Sequence, residues 1–199
     1  MNIVFNSYNF WNGLTVEQVL PHQCQAMADV VSYWADVADY KIEYLKEINA
    51  GYPDLAIFND SLRLARSTDE QLQNLSQKHI AYVCKDAGRR EQGIVIIRVP
   101  QRHDHLEVKY LMTHPHNIRS EVNVEEPHTV KGVGTALMEA VEELALTTFN
   151  KNRIELYASC TGAAFYEKLG YFPEYLEDGV MHFKTLEMII QKIQSEIVA

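Results

Sequence analysis

Cysteine is scarce and scattered in this chain. Cys24, Cys84 and Cys160 lie far apart, are odd in number and form no C-x-x-C pair. That excludes a disulfide-stapled framework and a zinc ribbon, and fits reduced thiols in a cytosolic protein. Long hydrophobic runs are missing too. No segment approaches the ~18 apolar residues of a membrane-spanning helix. The opening Met1-Asn2-Ile3-Val4-Phe5-Asn6 lacks the charged and apolar regions of a secretory signal. The expectation is a soluble, cytoplasmic protein with no membrane partner. Basic charge is in deficit, 18 Lys and Arg against 27 Asp and Glu, for a formal net charge of −9. Nucleic-acid binders present a basic face, so nucleic acid is not an expected partner, whereas a cationic molecule such as an amine is compatible. No internal repeat or low-complexity tract is visible.

What is present suffices for a packed core: 199 residues, 47% of them hydrophobic, expected to form a single domain over 1–199. Residues 2–10 read as a short strand. From Val16 to Ile48 the pattern is helical, with Val30, Trp34, Val37, Tyr44 and Ile48 recurring at steps of three, four or seven. Lys41 interrupts the stripe but can lay its aliphatic stem along it. The breaker Asn49-Ala50-Gly51-Tyr52-Pro53-Asp54 precedes a second helical region over 55–77, with a possible division at Ser67-Thr68-Asp69. Residues 1–78 are thus a mainly helical N-terminal part.

The texture then turns β-prone. Runs at 79–84, 93–99 and 105–113, joined by short turns, predict an antiparallel meander. A polar stretch follows to Thr129. After Gly134 a helix carries Leu137, Val141, Leu144 and Thr148 on one stripe. A strand over 153–159, a short helix over 163–169 stopped by Gly170, a strand pair over 172–176 and 180–186, and a terminal helix over 187–198 complete the reading.

One stretch carries chemistry. Val130-Lys131-Gly132-Val133-Gly134-Thr135 places two glycines where an extended segment becomes a helix. Such a turn brings backbone N–H groups close to an anion, and the helix dipole adds positive character there. A diphosphate-bearing ligand is the leading expectation. A nucleotide phosphate loop is a poor one, because no Lys-Ser/Thr follows in the G-x-x-x-x-G-K-[ST] form.

The blocks and their order resemble the GNAT superfamily of N-acetyltransferases. A strand ending Leu111-Met112-Thr113-His114-Pro115 comes first, then Lys131-Gly132-Val133-Gly134-Thr135-Ala136-Leu137 with its helix. The strand Ile154-Glu155-Leu156-Tyr157-Ala158 follows, and then Phe165-Tyr166-Glu167-Lys168-Leu169-Gly170-Tyr171, close to the family's F-Y-x-K-L-G-F. The match covers about 79–186. It implies a mixed α/β fold: a central mixed sheet flanked by helices, antiparallel strands first, then β-α-β-α, with middle strands that splay. It implies acetyl-CoA as co-substrate, held in the splay, and no metal. The cofactor-binding residues implied are Leu111, Met112 and Thr113, with the Met112 and Thr113 amides as candidates to hold the acyl carbonyl. Thr129, Val130, Lys131, Gly132, Val133, Gly134 and Thr135 would surround the pyrophosphate, and Ser159, Phe165 and Lys168 complete the set. Thr129 stands where the family usually has Gln or Arg, and Ser159 where it usually has Asn. Both keep a hydrogen-bonding group but shorten it. The run from His116 to His128 is longer than usual and is expected to be either an acidic lid or a surface or oligomer-contacting loop.

Acyl transfer to an amine needs a deprotonated nucleophile, a polarised carbonyl and a proton for the leaving thiolate. Strand alternation puts Glu107, Lys109, Leu111 and Thr113 on one face, and Val108, Tyr110 and Met112 on the other. Glu107 stands where some family members carry a glutamate base, and burial on a central strand would raise its pKa; a structural glutamate paired with a cation is the other reading. Tyr166 matches the tyrosine that protonates the CoA sulfur, against a plain core role. His103, His105, His114, His116 and His128 crowd the middle, inviting a metal reading that the resemblance does not require, and His114 or His116 is an alternative base. Cys160 has no His-Asn or His-Asp order to support a thiol nucleophile. Tyr33, Trp34, Tyr40 and Tyr44 read as core. Tyr52, Asp54 and His116 are the acceptor-contact candidates. The resulting expectation is transfer of an acetyl group from acetyl-CoA to a primary amine, on a small molecule or a protein, by direct attack in a ternary complex, in a possible homodimer. The alternative is a CoA- or protein-binding module with weak or no catalysis.

Overall fold

The structure, a computed structural model, describes residues 8–9, 13–75, 78–118, 129–159, 161–176 and 179–186. Its elements in order are β1 (Tyr8–Asn9), β2 (Thr15–Gln18), α1 (Cys24–Glu47), α2 (Tyr52–Gln73), β3 (His79–Lys85), β4 (Glu91–Arg98), β5 (His105–Thr113), α3 (Val133–Thr147), β6 (Arg153–Tyr157), α4 (Ala163–Lys168), β7 (Phe172–Leu176) and β8 (Gly179–Thr185). The strands form one sheet in the order β1-β2-β3-β4-β5-β6-β8-β7. Every pairing is antiparallel except β5 with β6, which is parallel. The mixed α/β architecture expected from the sequence is what forms. The terminal helix expected at 187–198, Cys160, and residues 119–128 of the long run, on which the lid expectation rests, lie outside the described residues.

The β-branched run Ile94-Val95-Ile96-Ile97 is fully buried because both faces of β4 are covered. Val95 and Ile97 pack with Leu137, Val141 and Leu144 of α3. Ile94 and Ile96 pack with Val31 and Trp34 of α1 and Ala65 of α2. An uninterrupted apolar strand is the composition such a central position requires.

Three expectations are corrected here. The helix does not begin at Val16, which instead pairs with Cys84 in the β2–β3 ladder; α1 starts at Cys24, after a 3-10 turn over Pro21–Gln23. The buried face of α1 is Met27, Ala28, Val31, Trp34, Ala35, Ala38, Ile42 and Leu45, not the stripe through Tyr44 and Ile48. Tyr33, Tyr40 and Tyr44 are exposed, since small alanines let α1 lie close on its neighbours while tyrosines at the offset positions face outward. Finally, α2 runs unbroken through Ser67-Thr68-Asp69 and buries Thr68.

The decisive irregularity is in β5. Ile96 pairs with Tyr110 but Ile97 pairs with Val108, so Lys109 is an extra residue in a β-bulge. A bulge resets the alternation. Val108 joins the α3-side core, and so does Leu111, while Tyr110 and Met112 pack on the α1–α2 side. Glu107 therefore does not share a face with Leu111 and Thr113, contrary to the strict alternation. The pairing of β5 with β6 covers only His105–Val108 against Arg153–Leu156. Past that point β5 continues to Thr113 without a described partner on that side, and the two strands part.

Candidate active site

The parted strands open a cleft of about 660 Å³. Val108 to Thr113 form one wall and Leu156, Tyr157 and Ser159 the other. Gly134 of α3 and Phe165 and Tyr166 of α4 close it on one side, and Ile57, Asp60, Ser61, Arg63 and Leu64 of α2 on the other. The gap thus passes through the sheet, from the α3 layer to the α2 layer. Leu111, Met112, Thr113, Gly134, Ser159, Phe165 and Tyr166 all line this one cleft.

At the α3 end, Gly132 adopts φ 83° as the N-cap residue. That left-handed conformation suits glycine and turns the chain into the helix. The Ala136 amide donates to the Gly132 carbonyl at 2.8 Å. The amides of Val133, Gly134 and Thr135 precede it on the helix end, where backbone donors point outward. The approach is braced from behind. The Val130 amide donates to Asn117 Oδ1 at 2.7 Å, Asn117 Nδ2 donates to Gln92 Oε1 at 3.0 Å, and Thr129 Oγ1 donates to the His116 carbonyl at 3.3 Å. Thr129 thus ties the loop to the preceding turn, and Asn117 is a supporting residue that no motif announced. Lys131 is exposed beside these amides.

Two glycines set the packing. A Cβ on Gly93 of β4 would lie 2.6 Å from Val133 Cγ1, so glycine there lets the start of α3 rest on the sheet. A Cβ on Gly134 would lie 3.0 Å from Phe165 Cζ. Across the cleft, Ser159 caps the turn into α4: its carbonyl accepts from the Gly162 and Ala163 amides at 3.0 and 3.1 Å.

Tyr166 is 8% exposed and lines the cleft, with its ring edge-on to Phe165 and Tyr171. Burial pushes its phenol up to about 12, so it stays protonated at working pH. Glu107 departs from expectation. It is not among the residues lining the cleft. Arg98 grips its carboxylate through two nitrogens, Nε at 2.8 Å to Oε2 and a second, short contact to Oε1, while Lys109 Nζ and His105 Nε2 lie 3.5 and 3.4 Å away. Burial raises its pKa, but the Arg98 hydrogen bonds and charge, with Lys109 and His105, outweigh that and hold the carboxyl below its ordinary value. A clamped, acidified carboxylate outside the cleft is a poor base. Glu107 instead belongs to a chain of polar contacts through His105 and Glu155 to Arg153 that closes the paired half of β5 and β6.

The acceptor candidates also move. Tyr52 is 83% exposed at the start of α2, and Asp54 is buried in its first turn. Neither lines the cleft; the next turns of α2 do, from Ile57 to Leu64. His116 stacks on His114, ring centroids 4.8 Å apart, and borders a separate cavity of about 510 Å³ with Tyr33 and Trp34. Lys168 is exposed on the last turn of α4 and is not in the cleft lining. Asp60, Ser61, Arg63 and Thr161 were missed; the spacing 57, 60, 61, 64 was the available signal, one face of a helix. Asp60 Oδ2 accepts from Thr161 Oγ1 at 2.6 Å, joining α2 to the turn before α4. Among the described residues no group of three or more His, Cys, Asp or Glu is placed to hold a metal ion.

Residues 77–173 match the family model of the acetyltransferase (GNAT) domain. No curated protein matches significantly in sequence. Among solved structures, the dodecameric spermidine N-acetyltransferase of Vibrio cholerae in an intermediate state is 14% identical, with 90% of this chain and 98% of that one covered and a TM-score of 0.52. The N152L mutant of the Vibrio cholerae enzyme gives 14% identity over the same shares, with a TM-score of 0.54. Identity this low speaks to fold alone. The matched stretch includes the strands that part around the cleft, and over those residues this chain carries a GNAT acetyltransferase domain.

Proposed function

We propose that the cleft binds acetyl-CoA from the α3 side and a primary amine from the α2 side, and joins them by direct attack. The observation that supports this most is the edge of β5 from Lys109 to Thr113, released from β6 and turned to the gap. An extended, amide-bearing pantetheine arm can add to such an edge as a strand would. The amides of Val133, Gly134 and Thr135 then meet the pyrophosphate, with Val130, Gly132 and Lys131 beside it. The Thr113 amide, which points away from β4 toward the gap, holds the acyl group in place.

In the reaction the amine nitrogen attacks the thioester carbonyl carbon, forming the C–N bond. Asp60, the carboxylate in the cleft wall, takes the proton that the nitrogen sheds. The C–S bond breaks and the Tyr166 hydroxyl protonates the departing thiolate. Solvent returns a proton to Tyr166 and accepts one from Asp60, so the net change is amine plus thioester to amide plus thiol. A homodimer is the expected assembly, checked by sedimentation.

Calorimetric titration tests the reading. Acetyl-CoA and CoA are expected to bind with one site per chain and ATP not to bind. Absence of acetyl-CoA binding would sink the proposal and leave a protein-binding module as the better account.

A further inference from the structure

Asp60 and Arg63 stand one turn apart on α2, and both line the cleft. Arg63 Nη2 lies 3.7 Å from Asp60 Oδ1, too far for a hydrogen bond, and the Arg63 side chain is 62% exposed. Thr161 occupies the other Asp60 oxygen at 2.6 Å. The wall therefore presents an anion and a cation side by side, each with bonding capacity left, since a carboxylate offers about four acceptor positions and a guanidinium five donors. Lys109, lifted out by the bulge, is a second cation on the wall, tied to Glu107 at 3.5 Å. Asp60 is the one carboxylate among the described lining residues, which include these two cations. Around them Ile57, Leu64 and Ile118 are apolar.

A polyamine is badly matched to the described part of that wall, where it would meet one negative group and two positive ones. The overall charge of −9 suggested a cationic partner, but the local sign at the reacting end decides what is held there. Resting on the acetyl-transfer reading above, we propose that the acceptor is a small amino acid, carrying a carboxylate next to its amine. Its ammonium meets Asp60 Oδ1 and loses one proton to solvent, and Asp60 then takes the proton that the nitrogen sheds on attack. Its carboxylate meets the Arg63 fork, which suits bidentate pairing, with Lys109 adding charge. An apolar side chain then faces Ile57 and Leu64. The cleft also takes the acyl-pantetheine arm, so the room left fits a small molecule.

The test uses the full chain, acetyl-CoA, and thiol release as the readout. The acceptors are L-leucine and L-phenylalanine, their carboxamides, and spermidine. The free acids are expected to exceed the carboxamides and spermidine in kcat/KM by roughly tenfold or more, the worth of a charge-assisted hydrogen bond. Arg63→Gln should raise KM for the acids and leave the carboxamides nearly unchanged. Equal or better use of a carboxamide or spermidine, no turnover of any acceptor, or an equal loss for all acceptors in Arg63→Gln would overturn the assignment. Acetyl-CoA binding, measured by calorimetry on the same preparation, separates the two failures. Without binding the acetyl-transfer reading falls as well; with binding and the wrong preference only the amino-acid assignment falls.

Discussion

At the scale of single residues, burial acts on two acids with opposite outcomes. Tyr166 has only burial acting on it, and its phenol rises to about 12. It is protonated at any working pH, and the same shift makes it a weaker acid, so the proposed proton transfer rests on its position at the sulfur and not on its acidity. Tyr166→Phe keeps the ring packing and removes that proton, so kcat should fall by roughly 10²–10⁴, the usual range for a general acid. Acetyl-CoA affinity should hardly change; equal losses in both would assign Tyr166 to packing. Glu107 is also pushed up by burial, but Arg98 and its neighbours outweigh that and lower it. A carboxyl lowered in the folded state adds stability above its unfolded value, near 4.5, and that contribution is lost as pH falls through the folded value. Glu107→Gln should therefore cost about 1 kcal/mol in a urea titration at pH 7, a modest figure because the Arg98 side chain is itself part-exposed. The cost should fade below pH 4.5, with turnover within about twofold of wild type. A collapse of turnover at unchanged stability would restore Glu107 to catalysis. Tyr166 was legible through its motif. The environment of Glu107 was not, because Arg98 reaches it across a strand pair that only folding creates.

At the scale of elements, the cleft depends on two close approaches and one bulge. Gly134 lies under the Phe165 ring, where a Cβ would sit at 3.0 Å. In Gly134→Ala that ring must give way, at an overpacking cost of about 1–3 kcal/mol. Acetyl-CoA binding should weaken by roughly tenfold in calorimetry while the far-UV spectrum is retained. Unchanged affinity would mean that the ring moves away from the ligand path. The β3–β4–β5 meander and the α3 and α4 helices were readable from periodicity and their turn residues. The bulge at Lys109 was not: the residues alternate acceptably in either register, and the choice came from pairing with β4. β2 was hidden for a similar reason. Thr15–Gln18 is a short segment running into a helical pattern, and its strand character is supplied by the ladder with β3.

At the scale of the molecule, protection should follow the layers. β4 lies between α3 on one face and α1 and α2 on the other, whereas every residue of the edge strand β7 is exposed. In native-state hydrogen exchange the amides of Ile94 to Ile97 should be among the slowest and those of β7 among the fastest. Acetyl-CoA should slow exchange in Lys109 to Thr113; the same rates with and without it would argue against a ligand on that strand edge. The sequence by itself determined the alternation of helices and strands, the glycine turn at the start of α3 and the aromatic motif of α4, since each depends on neighbours within a few positions. Only the tertiary structure decided that β5 and β6 part after Val108, that Glu107 is held outside the cleft, and that Asp60 and Arg63 face into it. Those outcomes arise from contacts between residues distant in the chain, where strand register, a bulge and charge pairing are chosen by the partner rather than by the segment.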